Sequence, residues 1–343
     1  MRSRSNIRQS AAVSAVLLAA LFLLPLAVIA PFRSALAGKK AAPDKPPEPK
    51  PEVRLPFESG ALDGDVPLRV LDGGEVREMD LGTYLVGVVR AEMPASFELE
   101  ALKAQACAAR TYTLYKLSNG GNHGDTANIC TDSTCCQAYI SEEQAFSNWG
   151  GDAAAYEQKV ERAVSETDGQ AILYDNTPVL AVFHSSSSGL TRAAGEVWLN
   201  DLPYLQPVQS PEPGDTIPNY HSRVDFTAEE FRTKFLEAHP EADLSGPAGS
   251  WLSDPVSDEA GSVRTLRVGG VEVKGTQLRS ILGLRSACFT WEVQNGTVSF
   301  FVTGYGHGVG LSQYGANQMA AGGADFREIL THYYTGVTIG PVK

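Results

Sequence analysis

Twenty consecutive residues, Ala11 to Ala30, are apolar apart from Ser14 and contain one helix breaker, Pro25. No other feature limits the fold as strongly. As a helix rising 1.5 Å per residue, such a run spans roughly 30 Å, about one bilayer core. Arg2, Arg4 and Arg8 precede it and no acidic residue occurs before Asp44. The positive-inside bias therefore puts the N-terminus in the cytoplasm and all that follows outside. The run reads as an uncleaved anchor or as a long signal peptide. Ala35-Leu36-Ala37 before Gly38 is a small-x-small cleavage site, but the run exceeds the usual ~7–15-residue signal core, so the anchor is preferred. Between Lys39 and Pro56, prolines at 43, 46, 47, 49, 51 and 56 alternate with charged residues. That composition makes an extended, semi-rigid tether. The expected plan is a membrane segment over 1–37, a tether over 38–56 and one folded domain over 57–343.

The formal charge is −12. Residues 1–37 hold four arginines and no acid, so the remainder carries −16. A strongly acidic domain lacks the clustered Lys and Arg of a nucleic-acid binder, and no nucleic-acid partner is expected. No collagen period, heptad run or internal repeat is present.

Hydrophobic periodicity predicts an α+β fold. Val66–Val70 and Glu75–Arg77 flank Asp72-Gly73-Gly74, a hairpin pattern. Asp80 can cap a helix whose apolar face is Leu81, Tyr84, Leu85 and Val88, ended by Pro94. A second helix is expected from about Phe97 to Leu117, with Ser96 as cap. Strands are expected at Ala171–Tyr174 and Val179–Phe183. A helix over Ala228–Ala238 opens with the capping box Thr227 and Glu230. Hairpins turn at Gly269-Gly270 and Asn295-Gly296. Short helices follow at Thr276–Leu282 and Phe326–Tyr333. Helices and antiparallel hairpins in separate blocks argue against an alternating parallel sheet. The expectation is one α+β domain with a central cleft.

Four stretches can carry chemistry. Glu92 continues the stripe of Leu81, Tyr84, Leu85 and Val88. Partial burial and the helix C-terminus both favour a protonated carboxyl, the form a general acid needs. The alternative is a frayed helix end with Glu92 in water. His123, Cys130, Cys135 and Cys136 lie in a polar, glycine-containing loop. Such ligands suit zinc, with His123, Cys130 and Cys136 as the preferred set. In an exported domain a disulfide is the competing reading. Cys107 and Cys288 read as buried hydrophobes. Gly304-Tyr-Gly-His-Gly-Val-Gly-Leu-Ser-Gln-Tyr-Gly-Ala316 surrounds His307 with glycines, as a ligand-cleft wall would, or as a structural loop could. Finally, Phe183-His184-Ser-Ser-Ser-Ser188-Gly189-Leu190-Thr191 lacks the Gly-x-Ser-x-Gly elbow of a serine hydrolase. Its hydroxyls fit a sugar site or a polar turn.

Together these stretches resemble the stage II sporulation protein D family. The segments that carry the resemblance are Leu81-Gly-Thr-Tyr-Leu-Val-Gly-Val-Val-Arg-Ala-Glu-Met-Pro94, Glu100-Ala-Leu-Lys-Ala-Gln-Ala-Cys-Ala-Ala-Arg-Thr-Tyr112, Ser188-Gly-Leu-Thr191 and Gly306-His-Gly-Val-Gly-Leu-Ser-Gln-Tyr-Gly-Ala316. They occur in the family's order across most of residues 64–340. The resemblance implies a membrane-anchored lytic transglycosylase that cuts peptidoglycan between N-acetylmuramic acid and N-acetylglucosamine during engulfment of the forespore. It implies peptide-free glycan as substrate, and a cell-wall amidase and an integral membrane protein as partners. The family's catalytic glutamate falls on Glu92. Ser187, Thr191, His307, Gln313 and Tyr314 are expected to line the groove. The chemistry itself needs no cofactor; one structural zinc is expected in the 123–136 loop. Two other readings stand beside this one: a non-catalytic wall-binding protein that stimulates an amidase, and a zinc hydrolase centred on His123 and the cysteines.

Overall fold

The computed structural model describes residues 56–121, 123–198 and 200–342. The apolar run and most of the tether lie outside these residues. Among the described residues no helix is long and apolar enough to cross a membrane.

The chain begins as the turn signals require. Strands β1 (Pro67–Asp72) and β2 (Glu75–Asp80) pair antiparallel across Gly73-Gly74. Asp80 then accepts from the Thr83 amide and starts α1 (Leu81–Glu92), whose Leu81, Tyr84, Leu85 and Val88 are at most 1 % exposed. Burying side chains of this size stabilises the fold by about 1.5–3 kcal/mol each. Met93 leaves the helix in an extended conformation, as a residue before proline should. Helix α2 (Leu99–Ser118) follows, with Glu98 rather than Ser96 at its cap and no side-chain cap bond. Its alanines 101, 104, 106, 108 and 109 are fully buried, so other elements pack close around it. Inside this core Arg110 is locked to Asp63 through Nε–Oδ1 and NH2–Oδ2 contacts of 2.8 and 2.7 Å.

Strand β3 (Ile129–Cys130) adds parallel to β1. Helices α3 (Glu142–Trp149) and α4 (Ala153–Ser165) come next. Strand β4 (Gln170–Tyr174) turns at Asp175-Asn176, both at positive φ, into the two-residue β5 (Thr177–Pro178). The strand expected over Val179–Phe183 is shorter and later. Only Phe183–His184 (β6) is paired, to Leu311–Ser312 far along the chain. Its pairing is parallel, so the fold is not purely antiparallel.

A second hydrophobic core belongs to residues 221–303. Strand β7 (His221–Thr227) leads through the Thr227–Glu230 capping box into α5 (Ala228–Ala238). Strands β8 (Leu252–Ser257), β9 (Val263–Val268) and β10 (Val271–Lys274) form one antiparallel sheet, and α6 (Gly275–Leu282) follows. Strands β11 (Phe289–Gln294) and β12 (Thr297–Thr303) pair across Asn295-Gly296 and join β7. Phe226, Phe231, Phe235, Trp251, Phe289 and Phe300 fill the space between these elements. The chain returns to the first core through β13 (Leu311–Ser312), α7 (Gln313–Ala321), α8 (Phe326–Tyr333) and β14 (Thr338–Pro341), which pairs with β4.

Candidate functional site

Glu92 is the last residue of α1 and is half-buried. Its Oε1 accepts a 2.7 Å hydrogen bond from the Ala138 amide, which contradicts a frayed end pointing into water. Burial lifts the carboxyl above the ordinary glutamate value of 4.5, and the Ala138 bond pulls the other way without cancelling it. Ala138 can reach Glu92 because the neighbouring loop lies flat on α1. At Gly87 a Cβ would come within 2.1 Å of the Tyr139 ring, so only glycine admits this approach. Tyr139 in turn stacks 5.9 Å from Tyr84.

Two cavities of about 550 Å³ meet at Glu92. The first is lined by Arg90, Trp149, His184, Tyr305, Gln313 and Tyr314, among others. The second extends towards Tyr112, Cys135, Trp198 and His307 and shares Glu92, Ser133 and Phe183 with the first. Glu92 is the one carboxylate among the described residues lining either cavity. The nearby Arg90 is paired with the buried Glu157, Nε to Oε2 at 2.8 Å.

The glycine-rich segment forms one wall. Glycines 304, 306, 308 and 310 all take positive φ, and a Cβ at Gly310 would lie 2.2 Å from the Val182 carbonyl oxygen. The segment therefore lies directly against the 182–187 backbone. Gln313 donates to Gln105 at 3.3 Å, and Tyr314 meets Phe97 edge-on at 4.9 Å. His307 is held through Nδ1, which accepts from the Val309 amide at 3.1 Å. Burial pushes its pKa down to about 4, so the ring is neutral near pH 7. It lies between Trp198 and His184, at centroid distances of 5.2 and 5.5 Å. Its ring borders the second cavity beside Trp198.

Ser187 and Thr191 lie elsewhere. The Ser187 hydroxyl donates to Glu212 at 2.8 Å, and Thr191 is fully buried with its oxygen accepting from the Val208 amide at 2.8 Å. Neither lines a cavity that contains Glu92. His184, which sequence reasoning passed over, does. Its Nδ1–H donates to the Val309 carbonyl at 3.1 Å, leaving Nε2 buried without a protein partner. The sequence signal for it is its place at the end of the strand that opens the serine run.

The loop carrying Ala138 also brings His123, Cys130, Cys135 and Cys136 together. One donor atom from each lies within 4.8 Å of every other. Strand β3 places Cys130 against Leu71. Asp132 then curls the chain: its carboxylate accepts from the Thr134 amide at 2.8 Å, and its carbonyl accepts from the Cys135 and Cys136 amides at 3.1 and 2.7 Å. That turn directs adjacent thiols to one imidazole, with Cys135 and Cys136 Sγ lying 3.6 and 3.8 Å from His123 Nε2. The structure thus brings Cys135 to the three residues expected from sequence, making a cluster of four. No two of the cysteines are joined in a disulfide, and the donors could hold a metal ion. Without one, burial pushes the Cys136 thiol up to about 12.

A family model described as Stage II sporulation protein matches residues 72–174, the stretch that supplies Glu92, α2 and the thiol cluster. That stretch is thus similar to stage II sporulation proteins. Over nearly its whole length the chain is similar to Stage II sporulation protein D of Bacillus amyloliquefaciens, 35 % identical over 326 residues, covering 93 % of this chain and 92 % of the relative. It is 33 % identical to Stage II sporulation protein D of Bacillus subtilis (strain 168) over 339 residues, covering 97 % and 96 %. A protein named Amidase enhancer, also from Bacillus subtilis (strain 168), is 27 % identical over 302 residues, covering 74 % of this chain and 40 % of its own length. The chain belongs to the stage II sporulation protein D family.

Proposed function

We propose that this chain is a peptidoglycan lytic transglycosylase acting on peptide-free glycan during sporulation. The observation that carries this reading is the solitary, half-buried Glu92 where two cavities meet. Hydrolytic glycosidases usually use two carboxyls, one to protonate the leaving oxygen and one to activate water or attack carbon. A transglycosylase needs one. Glu92 gives its proton to the glycosidic oxygen as the bond from that oxygen to the muramic C1 breaks. The muramic 6-hydroxyl oxygen then bonds to C1 and returns its proton to Glu92. The product carries a 1,6-anhydro end, and no water is consumed. Trp149, Tyr305 and Tyr314 offer aromatic faces to sugar rings. Gln313 offers hydrogen bonds, while Ser187 and Thr191 brace the wall behind. The two cavities would form the glycan groove. The apolar run 11–30 would anchor this domain outside the cytoplasmic membrane, where its substrate is.

The metal centre is read as a structural zinc held by His123, Cys130, Cys135 and Cys136. A tetrahedron with Zn–S of about 2.3 Å and Zn–N of about 2.0 Å has edges of about 3.8 Å between sulfurs and about 3.5 Å between sulfur and nitrogen. The Cys135–Cys136 and Cys135–His123 separations are 3.8 and 3.6 Å. Four protein ligands leave no open position for water, which argues against a zinc hydrolase. The relative named Amidase enhancer favours a second reading, a wall-binding protein that stimulates an amidase. Mass analysis of glycan ends after digestion separates the two: anhydro ends support the enzyme, and unaltered strands support the alternative.

Two expected outcomes follow from the site's electrostatics. Only the protonated carboxyl can donate, so kcat/KM should fall as pH rises through the Glu92 pKa, on a limb placed above the ordinary value of 4.5 by burial. A pH profile that is flat or rises through that limb contradicts the assignment. His307→Ala removes the bond from the Val309 amide, worth about 0.5–1.5 kcal/mol, so its Tm should drop. It also frees Trp198, and cleavage by the folded fraction should fall about tenfold, equivalent to about 1.4 kcal/mol of barrier. Thermal unfolding paired with cleavage checks this; full activity in the folded fraction would remove His307 from the site.

A further inference from the structure

The cavity system continues past the Glu92 site. A third cavity of about 620 Å³ lies beyond His307 and is lined by Val197, Trp198, His239, Gln277, Arg279 and Ile281, among others. Trp198 and His307 line both this cavity and the second one, so the indole forms the ridge between them. Trp198 is 37 % exposed although it stacks on His307. Its backbone amide donates to the Ala194 carbonyl at 2.8 Å, which fixes the backbone that carries the ring.

Arg279 stands on α6. Its Nε donates to the Leu284 carbonyl at 3.2 Å, and among the described residues it makes no ion pair with a carboxylate. The titratable groups near it are Tyr305, His307, His184 and Arg192. None is an acid, and the charge of Arg192 is already matched by Asp258 at 2.6 Å. Arg285 stacks 3.9 Å over the ring of Tyr305, a residue of the first cavity, with its Nε buried and unpartnered. His239, on the far rim, is paired with Glu241 at 3.1 Å. In a chain of net charge −12, a guanidinium that lines a cavity and has no carboxylate partner among the described residues marks a place for an anion that the protein does not itself supply.

We propose that Trp198 and Arg279 form a distal glycan subsite, in which the indole carries a sugar ring and the guanidinium pairs with a lactyl carboxylate of the muramic residue. This rests on the proposed action on peptidoglycan. In a strand bearing stem peptides the lactyl carbonyl is an amide and has no charge. Removing the peptide exposes one carboxylate per muramic residue. A guanidinium in a partly buried groove binds that group through charge-assisted hydrogen bonds and has no such bond to make with the amide. Arg279 would then be the residue that tells peptide-free strands from intact ones, at a distance from the cleavage chemistry.

The test measures binding, so it does not depend on turnover. The full chain carrying Glu92→Gln is titrated with peptide-free glycan fragments, with the same fragments after reduction of their lactyl carboxyls to alcohols, and with peptide-bearing fragments. The expected result is about tenfold tighter binding of the peptide-free form than of either other form, equivalent to about 1.4 kcal/mol. Adding Arg279→Met should erase that preference. Arg279→Lys, which keeps the charge, should retain part of it and serves as the readout if the methionine variant fails to fold. Raising the salt concentration should shrink the preference. An unchanged preference in either Arg279 variant's folded form that is indifferent to salt overturns the proposal, as does tightest binding of the peptide-bearing form. Should the unaltered chain release no anhydro ends while the Arg279-dependent preference persists, the enzyme reading falls and the subsite stands.

Discussion

Glu92→Gln is expected to abolish release of anhydro ends while leaving the fold and glycan binding intact. Loss of a general acid–base group costs roughly 10²–10⁴-fold, and here one group serves both proton transfers. The substitution is mild for the structure. A glutamine oxygen can still accept from the Ala138 amide, which now bonds Glu92 Oε1 at 2.7 Å. The amide is never charged, so the penalty on a buried charge that lifts the Glu92 pKa does not act on it. Glu92→Asp is the informative companion. It keeps the acid but shortens the reach by one methylene, so it should lose the Ala138 bond and most of the activity. Mass analysis of ends from peptide-free glycan gives the rate, and sedimentation with insoluble glycan gives the binding. Cleavage by Glu92→Gln at the native rate would remove Glu92 from the chemistry and with it the single-carboxyl mechanism.

Much of this arrangement was legible in the residues because local signals and tertiary contacts agree. The Asp80 cap, the stripe from Leu81 to Val88 and Pro94 together place Glu92 at a helix end, and the helix is found at Leu81–Glu92. The Thr227–Glu230 capping box and the Asn295-Gly296 turn set their elements in the same way. Misses occur where distant segments decide. Val179–Phe183 is apolar enough for a strand, but only Phe183 and His184 find a partner, at Leu311 and Ser312. Ser187 looked like a ligand-facing hydroxyl, yet Glu212, twenty-five residues later, collects it together with Ser210 and Ser312. Arg279 carries no motif. Its interest comes from what does not surround it, and sequence spacing does not encode that. Spacing alone gives no reason to prefer Cys136 over Cys135: neighbouring cysteines rarely bridge each other, but that limit on disulfides does not apply to two ligands of one metal.

That difference makes the metal centre a sharp test. Protein purified without reductant is expected to hold one zinc per chain, and Cys135→Ser should lose it as completely as Cys136→Ser. A three-ligand site built on His123, Cys130 and Cys136 would tolerate the first change and not the second. The stability effect should be large, because structural zinc contributes apparent binding energies of about 10–16 kcal/mol in small zinc-finger peptides and couples them to folding. Activity should fall with it by a route that the geometry makes explicit. Ala138 lies two residues beyond Cys136, and its amide is the hydrogen-bond donor to Glu92. Tyr112 and Tyr84 tie the same loop to the helices through the Cys135 and Cys130 carbonyls, at 3.5 and 3.3 Å. Releasing the metal frees the loop between those ties and takes the Ala138 amide away from the acid. A chelator should therefore lower Tm and kcat together, and readdition of zinc should restore both. If elemental analysis finds no metal and peptide mapping finds a Cys130–Cys136 disulfide, the cluster is a covalent clasp and the loop owes its position to that bond.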